Sequence, residues 1–189
     1  MASIASSAAL WLPIFLSAVT VFLLSSLIHM FSPWHKNDYK AIPDQDRVMD
    51  ALRPFGTPAG DYLVPRPASR ADMTSAEYKG KVAKGPNLIV TVLPNGPRGM
   101  SNALIGWFIY SLIVSWLAGL SAMAAVGPGA EDHRVFHFAM FTAFIGYSVA
   151  LWQMSIWYHR QWSTTIKASV DGLIYAIVTA YIFVAFWPK

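Results

Sequence analysis

The stretch ALIGWFIYSLIVSWLAGLSAMAAV, residues 103–126, contains no Asp, Glu, Lys or Arg. As a helix rising about 1.5 Å per residue it is long enough to cross a hydrocarbon core of about 30 Å. Three further runs, uncharged except for Asp171, lie on either side: about Ala8 to Phe31, Val135 to Tyr158 and Val170 to Trp187. The last is the shortest, and Asp171 at its start is expected at a membrane interface. No run alternates apolar and polar residues with the period of two that a membrane barrel strand requires. The expected fold is therefore an all-α integral membrane bundle of four transmembrane helices, with a small α+β cytoplasmic segment between helices 1 and 2. Residues 1–31 carry the first helix, 32–102 the intervening segment, and 103–189 the remaining helices at 103–126, 135–158 and 170–187.

Composition agrees. Of 189 residues, 55% are hydrophobic and 13% charged, against about 25% charged in soluble globular proteins, which argues against a water-soluble enzyme. Seventeen charged side chains lie between Lys36 and Arg98, three in Glu131 to Arg134 and three from Arg160 to Asp171, with Lys189 last. A cleaved signal peptide is the alternative for the first run. Met1 to Leu10 lacks the basic residues of a positive n-region, and the apolar run is too long for an h-region, so a retained helix is expected.

Of the 14 Lys and Arg residues, 12 fall in the loops joining spans one to two and three to four. The positive-inside rule then places those loops in the cytoplasm and both termini on the outer, periplasmic side. The net charge of +4 reads as topology, with the lipid bilayer as partner and no nucleic acid. Trp34, Trp107, Tyr110, Trp157, Tyr158 and Trp162 fall near the cytoplasmic interface, Trp11 and Trp187 near the outer one. Trp116 and Trp152 are expected deeper, packed between helices.

Helices in lipid associate through close backbone approach, so small residues should mark the seams. These are Ser111, Ser115, Ala118, Gly119 and Ala122 in span two, Ala139, Ala143, Gly146 and Ala150 in span three, and Ala176 and Ala180 in span four. A stripe of this kind serves equally the chain's own bundle, a homo-oligomer or a larger membrane complex. Ser17, Thr20, Ser25 and Ser26 can bond back to their own helix.

In the intervening segment, short helices are expected near 43–53, with Pro43 in the first turn and Pro54 and Gly56 as stops, and near 75–84, opened by the capping-box spacing of Thr74 and Glu77. Extended runs near 61–64 and 88–93 can pair. So small a segment is marginal alone and is expected to dock on the bundle.

The chain has no cysteine, which removes disulfides and thiolate metal sites. It also lacks a phosphate-binding Gly-rich loop, a nucleophile elbow and an HExxH motif. No catalytic residue is inferred. His133 and His137, four apart, are candidates for a metal ion or one edge of a haem, but an interfacial polar cluster is the plainer reading. His29, His35 and His159 can converge with Asp38 and Asp171. Trp34, His35, Trp157, His159, Arg160, Trp162 and Asp171 are candidates for contact with a lipid headgroup or a partner subunit. No cofactor is predicted, with haem and a divalent metal left open. The spans so drawn contain no interior Asp, Glu, Lys or Arg, which disfavours an ion-coupled carrier.

The blocks Pro33-Trp34-His35-Lys36-Asn37-Asp38-Tyr39, Val92-Leu93-Pro94-Asn95-Gly96, Ile156-Trp157 with Trp162, and Asp171-Gly172-Leu173-Ile174-Tyr175-Ala176 resemble those of an uncharacterised family of small bacterial four-helix inner-membrane proteins. The resemblance implies a bacterial source and the inner membrane, and carries no catalytic residue or cofactor. The leading expectation is a structural or accessory membrane protein, a subunit of a larger assembly. The alternatives are a membrane enzyme or haem/metal-binding subunit using interfacial histidines, and a small-solute carrier.

Overall fold

The computed structural model describes residues 9–189. Met1 to Ala8, which include the start of the first span and most of the n-region weighed above, lie outside the described residues. In chain order the elements are α1 (Trp11–Phe31), α2 (Gln45–Leu52), β1 (Gly60–Val64), α3 (Ala76–Lys84), β2 (Leu88–Val92), α4 (Ser101–Val126), α5 (Asp132–Tyr147), α6 (Trp152–Ile156) and α7 (Trp162–Ala185). They form two compact units, one holding α1 and α4 to α7, the other residues Lys40–Arg98.

In the first unit α1, α4, the α5–α6 pair and α7 provide four helical stretches long and apolar enough to cross a membrane. Each of α1 and α5 packs against both α4 and α7, which closes a four-helix bundle. Small side chains line much of its interior and let the helix backbones approach closely. Ser111, Ser115, Ala118 and Ala122 of α4, Ala139 and Ala143 of α5, and Ala176 and Ala180 of α7 are all buried. The close approach is measurable at two glycines. A Cβ on Gly119 would lie 2.8 Å from the Phe183 ring, and one on Gly172 would lie 2.0 Å from Ser148 Oγ. The last turn of the chain folds back on the α4–α5 connection, where Trp187 Nε1 donates to the Gly127 carbonyl at 3.0 Å and Gly129 N donates to the Pro188 carbonyl at 2.8 Å.

The boundaries of the third and fourth spans differ from expectation. The third is not one helix: α5 stops at Ser148 (φ −128°), and a 3-10 turn over Val149–Leu151 leads into α6. The break lies against Gly172 of α7, and Ser148 Oγ donates to the Ser169 carbonyl at 3.3 Å. Ala150, beyond the break, is exposed and leaves the seam. The fourth helix begins at Trp162, well before the expected position, so Lys167 and Asp171 lie inside it. Asp171 is nine residues in, roughly 13 Å along the axis, and is buried. The charges do not end the helix because partners from elsewhere in the chain meet them. An ionisable group inside a membrane-length helix therefore exists, and the argument against an ion carrier from its absence falls.

Trp116 and Trp152 are both exposed, although Trp152 reaches α7, its Nε1 donating to Ser169 Oγ at 3.0 Å. In α1, Thr20 and Ser26 donate to carbonyls one turn back, at 2.8 Å, and Ser25 to the Phe22 carbonyl at 2.9 Å. Ser17 is buried with no protein partner.

In the second unit, the N-cap of α2 is Asp44, in left-handed backbone, with Pro43 outside the helix. The α3 cap is Ser75, one residue later than expected, whose Oγ accepts from Tyr78 N at 3.0 Å. A cap needs a side-chain oxygen in reach of the third amide on, and Ser75 meets that condition with its extended backbone. Strands β1 and β2 pair antiparallel, Gly60 opposite Val92 and Val64 opposite Leu88. No residue of Lys40–Arg98 is buried.

Candidate functional site

The polar centre of the bundle lies where the chain leaves α1. Ser32, in extended backbone, ends that helix and accepts a hydrogen bond from Trp34 N at 3.1 Å, which starts a 3-10 turn over Pro33–His35. The turn directs His35 back toward α7. There His35 Nδ1 donates to Asp38 Oδ2 and His35 Nε2 donates to Asp171 Oδ2, each at 2.7 Å. An ionised carboxylate only accepts, so each ring nitrogen is the donor wherever the carboxylate it faces is ionised. Lys167 Nζ donates to Asp38 Oδ1 at 2.9 Å and lies 5.7 Å from the Trp34 ring centroid. His35 and Lys167 thus link Asp38 and Asp171 in one network.

Burial makes that network matter. The side chains of Asp171, Asp38 and His35 are 5%, 12% and 14% exposed. Charged pairs at this depth are much less screened than surface pairs. Burial pushes the Asp38 carboxyl up, but the hydrogen bonds from His35 and Lys167, with their charges, outweigh it and hold the group below the usual carboxylate value.

His29, in the last turn of α1, stacks on His35 with ring centroids 4.3 Å apart and planes within 9°. Its Nδ1 donates to the Ser25 carbonyl at 3.0 Å, which leaves Nε2 as the free acceptor. Ser25 Oγ in turn accepts from Trp107 Nε1 at 2.7 Å. One ring nitrogen from each histidine and one Asp171 oxygen lie within 4.8 Å of one another. One turn further along α7, Tyr175 packs against Tyr147 and Trp107, with ring centroids 5.6 and 6.1 Å away.

Of the residues singled out by sequence, His29, His35, Asp38 and Asp171 come together. His159 does not join them: it is exposed, in left-handed backbone (φ 54°), and takes no part in the hydrogen bonds of the cluster among the described residues. Trp157 and Trp162 are exposed, and Arg160 is half-buried with its amide on the Met154 carbonyl at 3.0 Å. His133 and His137 are both exposed. His133 Nδ1 is 3.6 Å from Glu131 Oε2, and His137 Nδ1 meets the His133 carbonyl at 2.6 Å. The only grouping of three potential metal ligands among the described residues is His29, His35 and Asp171.

Sequence reasoning did not place Lys167 with His35 and Asp38, and it read Ser25 only as bonding back to its own helix. For Lys167 a signal existed: it precedes Asp171 by four residues, so on one helix the two share a face. That signal is hidden once the helix is started after Lys167.

Comparison with protein-family models, with curated proteins and with solved structures finds no match, so the chemistry of this centre is argued from its own geometry.

Proposed function

We propose that this protein is a structural or accessory subunit of a larger membrane assembly, and that residues 40–98 are the part that docks on a protein partner. One observation carries the reading: the segment has regular helices and strands yet buries none of its side chains. Ordering a residue's backbone costs about 1–2 kcal/mol, and only buried apolar surface offsets that over some 60 residues. A covering surface is therefore needed.

The hairpin favours protein as the cover. Leu63 stands opposite Ile89 and, on the other face, Val64 stands opposite Leu88; all four are exposed. A lipid surface is planar and covers one face of a two-stranded ribbon, whereas a partner can enclose both. The ribbon's two outer edges also offer unpaired backbone groups to an added strand.

The proposed setting is a bacterial inner membrane, supported by the resemblance of the sequence blocks. The distribution of Lys and Arg supports termini in the periplasm and residues 40–98 in the cytoplasm. Because the chain has no cysteine, single substitutions report orientation cleanly: Gly96→Cys should be shielded from an impermeant thiol reagent in intact cells and Gly129→Cys labelled. The docking reading is tested by photo-crosslinkers placed at Leu63 and Val64 in the membrane, followed by gentle extraction and native mass measurement. One protein crosslinked from both faces is expected. A strictly monomeric particle, or crosslinks to lipid alone, overturns it.

A further inference from the structure

We propose that His29, His35 and Asp171 form a binding site for one divalent transition-metal ion of the zinc(II) type, with Ser25 and Asp38 orienting the two imidazoles. The inference stands apart from the docking reading and uses none of its residues.

Three observations carry it. First, the donor set is two imidazole nitrogens and one carboxylate oxygen, gathered within 4.8 Å. Tetrahedral bonds of about 2.0–2.1 Å would place ligand atoms roughly 3.3 Å apart, so binding asks for small side-chain movements. His35 Nε2 and Asp171 Oδ2, at 2.7 Å, separate slightly, and the exposed His29 ring turns out of its stack.

Second, each imidazole already has the outer partner that metal-bound histidines use. His29 Nδ1 is held by the Ser25 carbonyl and His35 Nδ1 by Asp38, itself fixed by Lys167. Such contacts set the tautomer so that Nε2 presents its lone pair to the ion. Asp38–His35–metal would be the carboxylate–histidine–metal arrangement.

Third, access is one-sided. Asp171 is buried whereas His29 is exposed, so an ion can enter past His29 and reach a carboxylate shielded from water. Binding displaces the proton shared between His35 Nε2 and Asp171, which leaves to solvent. Nitrogen donors disfavour magnesium and calcium, and the absence of cysteine disfavours ions that need thiolate. Three protein ligands leave a fourth position for water or a substrate.

The test uses the full chain in detergent or nanodiscs, stripped with a chelator and titrated with Zn²⁺ by calorimetry and with Co²⁺ by absorption. One Co²⁺ per chain with tetrahedral ligand-field bands is expected. His29→Ala, at an exposed position, should weaken binding tenfold or more. Asp38→Asn should weaken it about tenfold, and His133→Ala combined with His137→Ala should leave it unchanged. Absence of stoichiometric binding, or equal affinity in the parent and His29→Ala, overturns the proposal, as does binding abolished only by the His133 and His137 changes. If Asp171→Asn fails to fold, His29→Ala still decides.

Discussion

His35 Nε2 donates to Asp171 Oδ2 across 2.7 Å of space and 136 positions of sequence. That bond joins the exit of α1 to the interior of α7, and it explains how a helix of membrane length accommodates a carboxylate. With Asp38 on the other ring nitrogen, His35 is the hub on which both acidic groups depend.

Removing the hub should therefore cost more than removing either spoke. His35→Ala leaves two largely buried carboxylates short of a donor, and a destabilisation of about 3 kcal/mol is expected. Asp171→Asn keeps the size of the side chain and should cost less. Thermal unfolding of the detergent-solubilised protein, followed by circular dichroism, gives the order.

Asp38 sets an acid limit. Its folded carboxyl titrates below its ordinary 3.8, so in the metal-free protein it contributes stability that is full above 3.8 and is lost as pH falls through the lower folded value. Unfolding temperature measured from pH 5 downward should drop for the parent and drop less for Asp38→Asn. Lys167→Met, which takes away one of the two donors, should move the drop to higher pH.

Gly172 should accept no side chain. A Cβ there meets Ser148 Oγ at 2.0 Å and Tyr147 Cβ at 3.1 Å, so Gly172→Ala is expected to cost about 1–3 kcal/mol. Ser148→Ala should recover part of that loss in a double-mutant cycle. Gly106→Ala in α4 is the control: no atom lies within 4 Å of its Cβ position, and the change should be neutral or stabilising.

Thr179 offers the opposite expectation. Its hydroxyl is buried with no protein partner, so Thr179→Val removes a polar atom at nearly constant volume. Stability should stay level or rise by about 1 kcal/mol. A clear loss in the same unfolding assay would show that the hydroxyl is used.

Much of this architecture is visible in the residues alone, because it depends on local properties. Long uncharged runs mark membrane-length helices wherever they occur, the small-residue stripes of α4 and α7 mark the seams, and β-branched residues mark β2. The α3 cap was legible to within a residue, since Thr74 and Ser75 both carry the hydroxyl a cap needs, and backbone geometry selects the one in reach. The histidines and acids of the site were visible as a set of possibilities, from which the fold kept His29, His35, Asp38 and Asp171 and left out His159. What only the tertiary structure decided is where charge can be buried. Hydropathy assigns a charged residue to the end of a helix because it assumes water as the only partner. In the folded chain Lys167 and Asp171 find theirs in the turn after α1, so α7 continues through them and the break falls instead at Ser148. Pairing between groups so far apart in the chain has no local signature, and that is the physical reason the site had to be seen in three dimensions.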